Sequence, residues 1–276
     1  WNMNKDLLAI TNNFVSVMKS CNGVLGAWNF GSVLHGMSDE YSDADIVFLL
    51  ENQSFKKIKE DLTRLLLKVC GSVLLCFKEG FNSDAIINNG YLIKKNNDIF
   101  QFDIFLLNNG MLDDFMCKIH YAGLSAENII FDTDNNVLKL CNNNPDGSLW
   151  NDNICCLAET YLYHFYMTYK YLARQDYFKL NHIMRTLYDI HVSLLLTGYD
   201  QIKWGGAENK LHFIPVCKQE HLKKYYCTED FQHNKNNLLQ SFIWFEEDIK
   251  DVSAKKGQDY NARNIDIIKN YWMAKA

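Results

Sequence analysis

Apolar residues recur along the first half of the chain at two different periods. Between residues 4 and 20, Leu7, Leu8, Ile10, Phe14, Val15, Val17 and Met18 follow helical spacing and predict an amphipathic helix. GVLGAWNF (23–30) and ADIVFLL (44–50) are short, nearly continuous apolar runs, as expected of buried strands. Residues 54–70 return to helical spacing, and IFQFDIFLL (99–107) predicts a further strand. IINNGYLIKK (86–95) places Asn-Gly between apolar stretches, the signature of a hairpin turn. Turn residues then dominate CNNNPDGSLWND (141–152), which reads as a linker. Beyond it the pattern is helical: NICCLAETYLYHFYMTYKYLARQDYFKLNHIMRTLYDIHVSLLL predicts two long helices with a break near Arg174 to Phe178. The expected organisation is an α/β domain over residues 1–145 and a helical domain over 146–276.

Composition narrows the function classes. A chain of 276 residues, 48% hydrophobic, can bury a sizeable core. Lys and Arg minus Asp and Glu gives 12 − 17 = −5 for residues 1–145 and 16 − 16 = 0 for residues 146–276, so all of the acid excess lies in the first half. That balance disfavours a protein built to bind phosphate backbones, and no nucleic-acid partner is expected. The nine cysteines contain no CxxC, and Cys155-Cys156 falls in a helical pattern, so the thiols read as reduced and buried. Neither a leader-like segment nor an apolar run of 18 residues occurs. A cytoplasmic protein without membrane contact is therefore expected.

One stretch departs from ordinary patterning. In NFGSVLHGMSDEYSDADIVFLL, Asp43 and Asp45 stand at the entrance of an apolar strand, where charge is normally shed. Strand alternation points both carboxylates the same way, so each raises the pKa of the other unless a cation compensates. Oxygen ligands of this kind suit Mg²⁺, which binds through one or two carboxylates plus substrate phosphates. Gly31 allows close backbone approach, and Ser32, opening a short helix through Val33, Leu34 and His35, would offer a hydroxyl and amides to an anion. On the later strand, Ile99, Gln101, Asp103 and Phe105 share one face, and Asp103 in so apolar a run needs a partner. If the two strands are neighbours, that partner is the metal or a substrate hydroxyl.

These residues resemble the Gly-Ser, then Asp-x-Asp signature of the DNA polymerase β-like nucleotidyltransferase superfamily, with Asp103 matching its third acidic residue. Within it the chain looks most like the antibiotic nucleotidyltransferases that modify aminoglycosides and lincosamides. NIIFDTDNNVLKL resembles the strand and turn that close the family's first domain, and TYLYHFYMTYKYLARQDYFKLNHIMRTLYDIH resembles its first two C-terminal helices. The resemblance implies an α+β fold, a mixed sheet flanked by helices followed by an all-helical domain. It implies an enzyme that moves AMP from ATP, or a monophosphate from another nucleoside triphosphate, to a hydroxyl of a small molecule. Asp43, Asp45 and Asp103 would hold Mg²⁺, in two ions, and Asp103 would also take the proton. Gly31, Ser32 and Lys170 would hold the phosphates. Some relatives carry a glutamate one turn before the lysine; here Tyr166 stands there, which leaves Asp103 or Glu159 as the base. Relatives include monomers and homodimers.

Other readings compete. Lys170 could snorkel from an aromatic helix face. His35, His164, His182 and His191 lack compact metal-ligand spacing and read as structural or surface residues. Tyr161, Tyr163, Phe165, Tyr166, Tyr169 and Tyr171 cover more than one helix face, enough to serve packing and a ligand wall together. A non-catalytic antitoxin or nucleotide sensor has no need of a proton-accepting carboxylate, and a polymerase or tRNA-end transferase is disfavoured by the acidic first half. The surplus of acid, with Asp39 and Glu40 adding to it, favours a cationic, hydroxylated acceptor, an aminoglycoside such as streptomycin ahead of a lincosamide.

Overall fold

The computed structural model describes residues 4–31, 39–203 and 206–276, which form two compact units, Trp1–Asp146 and Gly147–Ala276. The first is built on a six-stranded sheet. Its strands are β1 (Val24–Asn29), β2 (Ala44–Leu50), β3 (Ser72–Lys78), β4 (Ile86–Lys95), β5 (Asp98–Asn108) and β6 (Ile129–Asp132), in the order β3-β4-β5-β2-β1-β6. Only the central β2–β5 pair is parallel, so the sheet is mixed.

Helices α1 (Lys5–Lys19) and α2 (Asn52–Leu67) cover one face. Their apolar stripes, Leu7, Ile10, Phe14 and Met18 with Phe55, Ile58 and Leu62, meet Ile46, Phe48, Phe102 and Ile104 in one buried cluster. Phe14 sets its ring edge-on to Phe48 and Phe102, at centroid distances of 5.7 and 5.5 Å. The other face is covered at one end by α3 (Phe115–Tyr121), which starts where the Asp114 carboxylate accepts the amides of Met116 and Cys117. His120 of this helix lies against Phe105 and Phe30, and its backbone oxygen accepts the Trp28 indole N–H at 3.2 Å. After β6, α4 (Asn136–Asn142) completes the unit.

The Asn-Gly pair of β4 is not a turn. Ile86–Lys95 is one continuous strand, and the chain reverses at Asn96-Asn97, where Asn96 adopts a left-handed φ of 57° and Lys95 pairs with Asp98. Cysteine placement also differs from expectation. Cys70 and Cys117 are buried, but Cys156 and Cys217 are exposed, Cys156 because it shares the outward side of its helix with exposed Glu159, Thr160 and Tyr163.

The second unit is all-helical: α5 (Ile154–Ala173), α6 (Tyr177–Gly198), α7 (Val216–Leu222), α8 (Phe231–Lys256) and α9 (Ala262–Lys275), with short 3₁₀ turns between. The break between α5 and α6 falls at Arg174–Asp176, with Gln175 at a φ of 52°. Two of the six aromatic residues of the series, Tyr161 and Phe165, are core. Tyr161 stacks on Phe245 at 3.6 Å, and Phe165 packs on Phe242 at 4.2 Å. A polar chain runs through this core. Tyr161 and Tyr225 hydroxyls are 2.9 Å apart, Tyr225 meets His191 Nδ1 at 2.9 Å, and His191 Nε2 reaches Asp248 Oδ2 at 2.8 Å. His221 Nδ1 and Lys218 Nζ also reach Asp248, at 2.7 and 2.5 Å. Among the described residues no helix is long and apolar enough to cross a membrane.

Candidate active site

The parallel pairing of β2 and β5 sets Asp45 directly opposite Asp103, with Ala44 opposite Phe102. Alternation does the rest. Ala44, Ile46, Phe102 and Ile104 point into the helix-covered core, so Asp43, Asp45, Gln101 and Asp103 share the opposite face, at the end that α3 leaves open. One carboxylate oxygen from each of Asp43, Asp45 and Asp103 lies within 4.8 Å of the others.

Among the described residues no Lys, Arg or His pairs with this group. Burial drives the Asp45 carboxyl well above the ordinary carboxylate range, and the neighbouring charges of Asp43 and Asp103 push it further. Burial also raises Asp103, with Asp43 and Glu79 adding to the effect, against a single hydrogen bond from Gln101 Nε2 at 2.8 Å. A strand core would shed such a cluster unless a cation joined it.

Two glycines leave room for the carboxylates. Gly31 holds a φ of 59°, and a Cβ there would collide with the Asp45 carboxylate. Gly90 stands opposite Asp103 on β4, where a Cβ would lie 2.6 Å from Asp103 Oδ1. This is the constraint behind the Asn-Gly pair: the glycine serves the carboxylate across the strand, not a turn. Beside Asp43 a cavity of about 390 Å³ opens, lined by Glu40, Tyr41, Asp98, Ile99 and Gln101 among others. Asn4, Leu7 and Phe100 also line it, so it borders the α1 side of β5 as well as Asp43.

Of the sequence candidates, Asp43, Asp45, Asp103 and Gly31 come together. Ser32, and with it the short helix through His35, lies outside the described residues. Lys170 and Glu159 belong to the second unit. Lys170 Nζ sits 4.9 Å from the centre of the Tyr166 ring and 3.9 Å from Met167 Sδ on its own helix. Glu159 is exposed, its carboxylate 3.9 Å from Cys155 Sγ. Gly90 is the site residue that sequence reasoning missed; its signal was present, but a hairpin also explains Asn-Gly.

The donor set fits a hard divalent ion, because three convergent carboxylate oxygens, one from a group whose surroundings resist its charge, are what such an ion compensates. No family model matches the chain, and no curated protein matches its sequence. Among solved structures it resembles an aminoglycoside 6-adenyltransferase from Bacillus subtilis, at 13% identity over 98% of each chain and a TM-score of 0.46. A likeness of that strength leaves the chemistry to be argued from this chain's own residues.

Proposed function

We propose that the chain is a Mg²⁺-dependent nucleotidyltransferase that moves a nucleoside monophosphate, AMP from ATP, onto a hydroxyl of a small cationic antibiotic and releases pyrophosphate. The observation that carries this reading is the convergence of Asp43, Asp45 and Asp103, in register on one open sheet face. When bound there, divalent ions supply positive charge at the α-phosphate and at the attacking and leaving oxygens. The residues of the chain hold and orient. Asp43 and Asp45 fix the cation-binding oxygens on a rigid strand, and Gly31 lets the backbone come close to them. Asp103, raised in pKa and facing the open side, takes the hydroxyl proton as the acceptor oxygen bonds to the α-phosphorus. The α–β phosphoanhydride bond breaks and its electron pair leaves on pyrophosphate. Ser32 and Lys170 hold the β- and γ-phosphates in this reading, and Glu159 is left without a role.

The acceptor follows from charge. With Glu40 beside Asp43, the acid side of the site attracts cations, and aminoglycosides such as streptomycin combine several charges with many hydroxyls. Lincosamides carry less charge and also qualify. The test is pyrophosphate release with Mg²⁺ and each nucleoside triphosphate against a panel of aminoglycosides and lincosamides. Release that depends on both acceptor and metal is expected. Tight Mg-nucleotide binding with no release in any combination would replace the reading with a nucleotide sensor.

A further inference from the structure

The open sheet face carries more than carboxylates. Register places Phe77 of β3 opposite Gly90 of β4, Gly90 opposite Asp103 of β5, and Asp103 opposite Asp45 of β2. The next row runs Leu75, Leu92, Gln101. Directly opposed residues of a sheet share a face, so Leu75, Phe77 and Leu92 stand on the same side as the acids. They are not packed away: Phe77 is 58% exposed, Leu75 51% and Leu92 37%. Three large apolar side chains on one short stretch of sheet are more than scattered surface hydrophobics. Gly90 is the one position between Phe77 and Asp103 in that row. Without a side chain there, the path from the apolar shelf to the Asp103 carboxylate is open.

Strands in a sheet lie about 4.8 Å apart, so the shelf on β3 is roughly 10 Å from Asp103, the length of a small molecule. We infer that Leu75, Phe77 and Leu92 form the acceptor's specificity surface, and that the acceptor is a hydroxylated amine with an uncharged, apolar flank. This rests on the proposed transferase reading and refines it. The acids select for positive charge and a hydroxyl; the shelf selects, among such cations, those that can lay an apolar side against β3 and β4 while the hydroxyl reaches Asp103. The continuity of the row, apolar, empty, acidic, commits the shelf to the same ligand as the acids.

The test is calorimetric titration of lincomycin and, separately, streptomycin into the protein holding Mg²⁺ and a non-hydrolysable ATP analogue. The comparison is wild type against Phe77→Ala, Leu92→Ala and the double variant. The substituted side chains are exposed, so folding and analogue affinity should be unchanged. Lincomycin, with its apolar flank, should bind wild type and lose at least tenfold in affinity to the double variant, while streptomycin changes by less than threefold. Equal lincomycin affinity in all variants, or no lincomycin binding by wild type, overturns the shelf. So does a dimer that the double variant disperses, since a second copy would then be the occupant. Binding is read without turnover, so absence of pyrophosphate release would strike the transferase reading and leave this result to be judged by itself.

Discussion

Asp45, half-buried, and Asp248, fully buried, are aspartates drawn out of bulk water, one in each unit, and they have opposite fates. Burial pushes both carboxyls upward. At Asp248, hydrogen bonds from His191, His221 and Lys218 outweigh that push and hold the group at about 2. At Asp45 the neighbours are two more aspartates, which add to it. The helical unit completes its charge from within, whereas among the described residues of the sheet unit Asp45 meets only more acid. A buried carboxylate whose partners belong to the fold is costly to strip of them; one whose partner must come from outside is a binding-site candidate.

The comparison breaks most sharply under paired substitution. Asp45→Asn should lower kcat by at least about a thousandfold with Mg²⁺ present, yet raise metal-free stability by about 1 kcal/mol through relief of like-charge repulsion. Asp248→Asn should do the reverse, costing about 3–5 kcal/mol because it strips partners from buried His191 and from Lys218. Thermal unfolding of both variants with and without Mg²⁺ reads the difference. A destabilised Asp45→Asn would return that residue to a structural role.

Gly90→Ala sharpens the sheet side of the comparison. Its Cβ would press Asp103 Oδ1 out of register with Asp45, and kcat/KM should fall on the order of a hundredfold with the fold intact by circular dichroism.

Acid acts on both regions through buried histidines. Burial depresses His120 to about 4, against a hydrogen bond to the Met116 carbonyl. The folded chain keeps this ring neutral while the unfolded chain protonates it near 6.5, so its contribution is whole above 6.5 and is lost as pH falls toward 4. That loss is roughly 3 kcal/mol. Burial lowers His191 as well, and its contribution falls in the same direction. Asp248 behaves as a depressed carboxyl, its contribution present above 3.8 and lost as pH drops to about 2. Denaturant unfolding from pH 7 to 4 should show the His120 loss in wild type and a shallower slope in His120→Phe.

The smallest effect is expected at Lys170. Lys170→Ala should weaken calorimetric binding of a non-hydrolysable ATP analogue by about tenfold with little change in helix stability, alanine being the better helix former. Unchanged affinity would leave Lys170 to its contact with the Tyr166 ring.

What the sequence disclosed follows from period. Asp43, Asp45 and Asp103 were legible because strand alternation alone assigns their face, and a charge in an apolar run is conspicuous. The Asp248 group was not legible. His191, His221, Lys218 and Asp248 come from α6, α7 and α8, and no spacing rule brings residues of three helices together. Leu75, Phe77 and Leu92 were hidden for the opposite reason, since apolar residues in strands are taken to face inward. The Asn89-Gly90 pair misled because a turn and a missing Cβ require the same residue.

The parallel pairing of β2 with β5 also sets an order of events as the chain folds. Antiparallel strands can join through a tight turn, but β2 and β5 meet only after α2 and the β3–β4 hairpin have been traversed. On an emerging chain, Asp43 and Asp45 are therefore made long before the strand that carries Asp103, and local structure in between must collapse before the three carboxylates can converge. Affinity for a divalent ion should thus appear in a late refolding phase, after most helical signal has returned, and stopped-flow refolding with a metal indicator would time it.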